Sequence, residues 1–459
     1  MKEFMNFRVI FSVLLCRCKC RQWIYVSLFL ILFGIAVTSN SMAEYQSHDE
    51  TLKQGDDHAM LLLLDKQDAL TLHDAIKLAL QKNPELAAFA KEIGALEGVT
   101  LQAGLLPNPR LQLDSEDVSS RTSGPGARFN SIRISQLIET AGKRSARMEA
   151  ASLGQERAGQ DFEIRRLDLI AQVANVFTDV LAGQERVQLA TESIVLAQKV
   201  VDTVTKRVHS GKVPPIEETR AKVAYATTKI QYEQAKHDLD VARKSLALLW
   251  GSPIPSFQQV LGDLESFVIV PDFNTLTEYL YDNPAAIGSR LNLEQRKAML
   301  VLEKARRIPD ITFNAGIRRY SEPHDTAALV GLSFPIPVFN RNQGNLLEAH
   351  QRVDKAEDEW AATDLRLRTL LVQSYEALIA AQNQITMLRE EILPGAREAF
   401  VTARRGYELG RFNFLGMLDA QRTLFQNQTL YLQALANYQK LVNEIERLIA
   451  RPVDGVSNN

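Results

Sequence analysis

The sequence predicts a mainly α chain with a small β part, in which one unit of about 200 residues is written twice. Three observations predict it. First, short signatures recur at nearly constant spacing. Asn83-Pro84 returns as Asn283-Pro284, Leu106-Pro107-Asn108 as Ile308-Pro309-Asp310, and Gly211-Lys212 as Gly410-Arg411. Residues 135–138 and 333–336, and Leu248-Leu249 and Leu448-Ile449, match in the same order. So long a period marks a duplication rather than a solenoid array. Second, each copy holds a heptad seam. Val173, Val180, Val187, Ile194, Val201 and Val208 fall every seventh residue, and Leu371, Leu378, Ile385, Ile392 and Ala399 lie 198 residues after their partners. That is the apolar spacing of coiled-coil helices. Third, four short segments alternate apolar and polar residues with the period of a β-strand.

The elements follow in order. Residues 1–43 read as a signal peptide: Lys2, Arg8, Arg17, Lys19 and Arg21, then an apolar run Trp23–Thr38, then Ser41-Met42-Ala43 with cleavage after Ala43. The alternative is an uncleaved anchor, although the run is short for a span. Residues 44–69 form a polar linker. Repeat 1 occupies 70–260, an inter-repeat linker 261–273, repeat 2 274–450, and a tail 451–459. Each repeat opens with an amphipathic helix (71–104; 274–306, broken at the Asn-Pro). Two strands, a very long helix (143–209 in repeat 1), a tight turn and a shorter helix (215–249) complete it. At 1.5 Å per residue the long helix spans about 100 Å. Helices 71–104 and 215–249 together match its length, so stacked end to end they would flank it. Pro394-Gly395 predicts a kink in the second long helix.

The strands are marked by Leu111 and Leu113, Ile132 and Ile134, Ile311 and Phe313, and Leu332 and Phe334, joined pairwise by the loops Ser119–Gly126 and Ser321–Thr326. Roughly 8–11 residues is the length needed to cross a bilayer when tilted. A soluble sheet capping a bundle is the alternative. If the sheet faces lipid it must close, because an open edge leaves unsatisfied backbone groups in hydrocarbon. Four strands are too few, so copies must pool them. Two copies give 8 strands and three give 12, and only the larger ring leaves an open bore.

Composition removes other classes. Lys+Arg is 53 and Asp+Glu 55, a net charge of −2, so there is no cationic excess for nucleic acid. A mean hydropathy of −0.14 is too polar for a helical protein of many spans. The cysteines, Cys16, Cys18 and Cys20, leave with the leader, removing disulfide and thiolate chemistry from the mature chain. No two of the seven histidines are spaced as a helical metal site requires. His48-Asp49 and Asp56-Asp57-His58 read as solvated linker. With no nucleotide-binding loop or nucleophile elbow, no enzyme, cofactor or resident metal is expected. Glu217 and Glu218 follow Pro214-Pro215 at a helix start, where the macrodipole accounts for them.

From Leu70 onward the chain resembles the TolC family of outer-membrane factors. The residues that carry this are Leu70-Thr71-Leu72 with Ala75, Asn83-Pro84-Glu85-Leu86, Leu106-Pro107-Asn108-Pro109, Gly331-Leu332-Ser333 with Pro335-Ile336-Pro337, and Tyr407 with Gly410 leading to Leu418-Asp419-Ala420-Gln421. Residues 139–144 and 339–344 are most similar to its heavy-metal, CzcC-like branch. The resemblance implies a homotrimeric helical coiled-coil barrel continuous with a 12-stranded β-barrel in outer-membrane lipid, four strands per protomer. It implies a passive exit duct for heavy-metal cations, working with a periplasmic adaptor (membrane fusion protein) and an inner-membrane resistance–nodulation–division pump. A multidrug-efflux or type I secretion channel shares this architecture, and a poreless periplasmic scaffold is the rival of another class. The resemblance also places the turns around Val208, Gly211, Lys212, Gly410 and Arg411 at a periplasmic, adaptor-docking tip. Tyr407 and Asp419 match gate positions. Phe412 stands where an arginine-like gate residue is expected, and Gly416 stands where a second acid is expected.

Overall fold

A computed structural model describes residues 69–116, 129–321 and 324–453. The signal peptide, its cleavage site, the linker histidines and the hairpin loop 119–126 lie outside the described residues.

In repeat 1, Thr71 caps α1 (Leu72–Lys82), its Oγ1 accepting from Asp74 N–H at 3.3 Å. Asn83 ends α1, and its Oδ1 accepts from Leu86 N–H at 2.9 Å to start α2 (Pro84–Gly104). Pro84 suits the first helical position, where no N–H is needed. After strands β2 (Arg110–Glu116) and β3 (Phe129–Ile138), α3 runs unbroken over Lys143–His209, and α4 returns over Pro215–Leu248. Repeat 2 repeats the plan. α5 (Phe273–Tyr279) leads through a 3₁₀ turn to Asn283, which caps α6 (Pro284–Ala305) by accepting from Ala285 N–H at 2.8 Å. Strands β5 (Ile311–Tyr320) and β6 (Thr326–Ser333) precede α7 (Gln343–Met387), α8 (Leu393–Glu408) and α9 (Phe414–Ile449).

The two asparagines also join the helices end to end. Asn83 Nδ2 donates to Leu249 O at the end of α4, and Asn283 Nδ2 donates to Leu448 O in the last turn of α9, both at 2.8 Å. The first helix of each repeat is thereby stacked on its last, as the lengths predict. Val173, Val180, Val204, Leu371, Leu378 and Ile385 form buried parts of the seams between helices.

The second seam departs from its prediction at one place. Ile392 and Ala399 are exposed, and Phe400 and Tyr407 are buried instead. A π-turn over Leu388–Ile392, in which Leu393 N–H bonds back to Leu388 O, inserts one extra residue and rotates everything after it by one position. The break thus lies before Pro394, not at it. Pro394 has no N–H for the Glu390 carbonyl, and the wider turn accommodates its ring.

The four long strands form one antiparallel sheet in the order β2-β3-β5-β6. Phe334, expected in the last strand, lies just beyond β6, because Pro335 and Pro337 remove the donors that would continue the ladder. A second, two-stranded sheet was not legible in the sequence. β1 (Ala69–Thr71) pairs in parallel with β4 (Gln259–Leu261), and the Gln184 side chain bonds both N–H and C=O of Val260 at 2.8 and 3.0 Å. Residues 264–268 then lie along α9, held by Tyr431 on Glu265, Gln439 on two carbonyls and Tyr438 on Val268. Among the described residues no helix is long and apolar enough to cross a membrane.

Candidate functional site: an inverted sheet and a latched tip

The sheet wears its apolar residues outward. Registered rows run Leu113–Ile132–Ile317 and Leu111–Ile134–Ala315–Val330, with Phe313 opposite Leu332. Every large apolar residue in these rows is between 40% and 77% exposed. The other face is polar. Asp114 there pairs with Arg133 and accepts from Gln112 at 3.0 Å and from Ser131 at 3.2 Å. Ser131 is buried, and the Arg318 guanidinium stacks 3.9 Å from the Phe129 ring centre. On the other side of β3, Arg133 is registered against Gly316 of β5, where a Cβ would collide with the Ile132 carbonyl and the Arg133 side chain. A water-soluble sheet buries the apolar face instead. Of the strand residues singled out above, Leu111, Leu113, Ile132, Ile134, Ile311, Phe313 and Leu332 all lie in this sheet and are exposed.

The segment Glu139–Arg144 is a joint between sheet and helices. Lys143 Nζ donates to Ile308 O and Asp310 Oδ1 at 2.6 Å, Thr140 N–H donates to Asp310 at 2.9 Å, and Arg144 reaches Gly104 O at 2.7 Å. Just beyond it, Arg147 grips Glu139 with two hydrogen bonds and also caps Ala103 O.

At the other end of the helices the two turns have the same geometry. Lys212 N–H bonds to Arg207 O and Gly211 N–H to Val208 O, both at 2.9 Å. In repeat 2, Arg411 N–H bonds to Gly406 O at 2.8 Å and Gly410 N–H to Tyr407 O at 3.0 Å. Gly211 and Gly410 sit at φ +72° and +73°, the left-handed conformation this helix ending requires. Beneath the turns Tyr407, Phe414 and Met417 are buried with Val200, Val201, Val204 and Ala221. The Tyr407 hydroxyl donates to Glu217 Oε2 at 3.0 Å. Arg207 donates to the Tyr407 carbonyl and lays its guanidinium 4.5 Å from the Tyr407 ring centre. Burial first, then the Glu217 contact, pushes the Tyr407 phenol up to about 12, so it remains a donor at neutral pH.

The other predicted tip residues are placed differently. Phe412 is 52% exposed and folds back onto Gly406, leaving no room for a Cβ there. Asp419 is exposed on α9 and has no partner among the described residues. Glu217, read in the sequence as a helix-start acid, is the residue the sequence reading missed. A signal was present: Glu217 lies 199 residues before Gly416, where the resemblance expects an acid, so the first repeat carries one at the equivalent position. Among the described residues no cluster of His, Cys, Asp and Glu could hold a metal ion.

The family model described as "Outer membrane efflux protein" matches residues 75–252 and 276–451, one match per repeat. The chain is 37% identical to the cobalt-zinc-cadmium resistance protein CzcC of Cupriavidus metallidurans, over 83% of this chain and 90% of that one. It is 26% identical to the nickel-cobalt-cadmium resistance protein NccC of Alcaligenes xylosoxydans, over 68% of this chain and 69% of that one. The fold matches the outer membrane protein VceC of Vibrio cholerae with a TM-score of 0.71 at 19% identity, covering 83% of this chain and 96% of the other. The duplicated helices, the open four-stranded sheet and these likenesses agree, and the chain belongs to the outer membrane efflux protein family.

Proposed function

We propose that three copies of this chain form a passive duct that carries heavy-metal cations out through the outer membrane. The observation that carries the reading is the inverted sheet: an apolar outer face, a polar inner face and two open edges, β2 and β6. Strands alternate in direction, so β6 of one copy can continue antiparallel onto β2 of the next, and any ring of whole protomers closes without a parallel seam. Ile216, Val223, Ile230, Val241 and Leu248 add a second unpartnered surface. They make one exposed stripe along α4, suited to a neighbouring copy's helices. Metal cargo rests on the likeness to CzcC and NccC.

In this reading the latched turns form the periplasmic end, where a membrane-fusion adaptor docks and an inner-membrane resistance–nodulation–division pump supplies the energy. Tyr407, held by Glu217 and Arg207, keeps that end shut. Asp419, brought to the axis by threefold symmetry, favours cations at the mouth, and Phe412 lines it.

Cells deleted for this chain and challenged with cobalt, zinc and cadmium test the cargo. Sensitivity restored by the wild-type chain is expected. Unchanged metal tolerance together with new sensitivity to organic drugs would replace the metal reading with a general drug duct.

A further inference from the structure

We infer that the tip turns dock an acidic protein surface, held by Lys212 and Arg411. The inference rests on the reading that these turns are the docking end, and it adds the chemistry of the partner.

Along the helix bodies, cations are matched to acids one turn away: Lys222 to Glu218, Lys244 to Asp240, Arg352 to Glu348 and Arg368 to Asp364, at 2.6 to 2.8 Å. At the turns the matching thins to one long pair, Arg404 with Glu408 at 4.0 Å. Residues 204–218 and 404–414 hold six Lys and Arg against three acids, Glu217, Glu218 and Glu408, in a chain whose net charge is −2, and Glu217 and Glu218 are engaged by Tyr407 and Lys222. Lys206, Lys212, Arg405 and Arg411 are exposed with no ion-pair partner among the described residues. The helix macrodipole explains Lys206 and Arg405, which sit in the last turns of α3 and α8. It does not explain Lys212 and Arg411. Both occupy the residue after the left-handed glycine, beyond the helix, where this type of ending ordinarily takes an apolar residue that packs back. Here both repeats place a cation there, 199 residues apart, on turns of the same hydrogen-bonded geometry.

The occupant that fits is a folded protein end bearing carboxylates. The cations occupy equivalent positions on two hydrogen-bonded turns, and exposed Leu409 and Phe412 stand beside them, 62% and 52% accessible. A fixed mixture of charge and apolar surface selects a partner of matching shape, whereas a fluid lipid headgroup layer has no spacing to match. Helical ends rich in Asp and Glu are the natural counterpart, because acids are stabilised in the first turn of a helix.

The experiment titrates the purified full-length channel with the periplasmic adaptor of its own efflux system, from about 0.05 to 0.5 M salt. It compares wild type, Lys212→Glu/Arg411→Glu, and the charge-conserving Lys212→Arg/Arg411→Lys. Affinity that falls about tenfold or more with salt and with charge reversal, and that survives in the conservative variant, is expected. Adaptor binding that ignores both salt and charge reversal would overturn the acidic-partner inference and leave docking at the tip standing. No adaptor binding under any condition would overturn both. Charge-dependent binding to phosphatidylglycerol vesicles, with adaptor binding indifferent to the variants, would overturn the choice of a protein partner.

Discussion

Tyr407 of the second repeat donates its hydroxyl to Glu217 of the first, at 3.0 Å, and so ties together two turns that the duplication made equivalent. Arg207 supports the same tyrosine from below, through its carbonyl and its ring. A hydrogen bond to a charged acceptor is worth about 1.5–3 kcal/mol. Replacing Tyr407 by Phe, or Glu217 by Gln, should therefore raise the open population of the tip roughly tenfold or more. Single-channel open probability in a planar bilayer checks this. Variants as closed as wild type would show that the contact does not hold the tip.

The pH dependence of the contact has a defined sign. The phenol is raised from 10.0 to about 12. A group raised on folding contributes its stability in full below its unfolded value and loses it as pH climbs through the folded value. The stability difference between wild type and Tyr407→Phe, followed by thermal denaturation in detergent, should stay constant up to about pH 10 and vanish near 12. A difference already fading between about pH 7 and 9 would contradict the assignment.

Gly316 predicts a sharp contrast within the sheet. A Cβ there meets the Ile132 carbonyl and Arg133, whereas one at Gly331 meets nothing within 4 Å. Gly316→Ala should cost about 1–3 kcal/mol and lower the yield of membrane-inserted protein. Gly331→Ala should be close to neutral. Membrane-fraction yield and heat-modified gel mobility distinguish the two, and equal behaviour would mean that β3 does not pack closely on Gly316.

Asn83 and Asn283 each cap one helix and bind the end of another. Asn83→Ala and Asn283→Ala should each destabilise by about 1–3 kcal/mol, since a cap and a cross-helix hydrogen bond are lost together. With no shared partner, the double variant should lose their sum. Melting of the three variants measures this. Clear non-additivity would mean the two joints are coupled.

Long-range order was legible in the sequence where it repeats. The Asn-Pro pairs, the valine heptads and the alternation around Ile132 and Ile311 each recur often enough to set a period. The remainder lacked one. β1 and β4 are three residues each, too short to show alternation. The slip that exposes Ile392 and buries Phe400 comes from a single backbone turn that leaves the heptad spelling intact. Phe334 continues the period of its strand but sits before proline, so pattern and hydrogen bonding disagree and hydrogen bonding prevails. Glu217 was hidden because a helix start explains an acid on its own, and only its distance from Gly416 hinted otherwise.

Disulfide trapping across the β2 and β6 edges asks whether several copies share one barrel. No cysteine follows Cys20, so paired cysteines placed at 111–115 on β2 and 328–332 on β6 report only their own proximity. Oxidation in isolated outer membranes should give a ladder of linked species that ends at three copies. A ladder ending at two, or no link between copies at any pair, would contradict it.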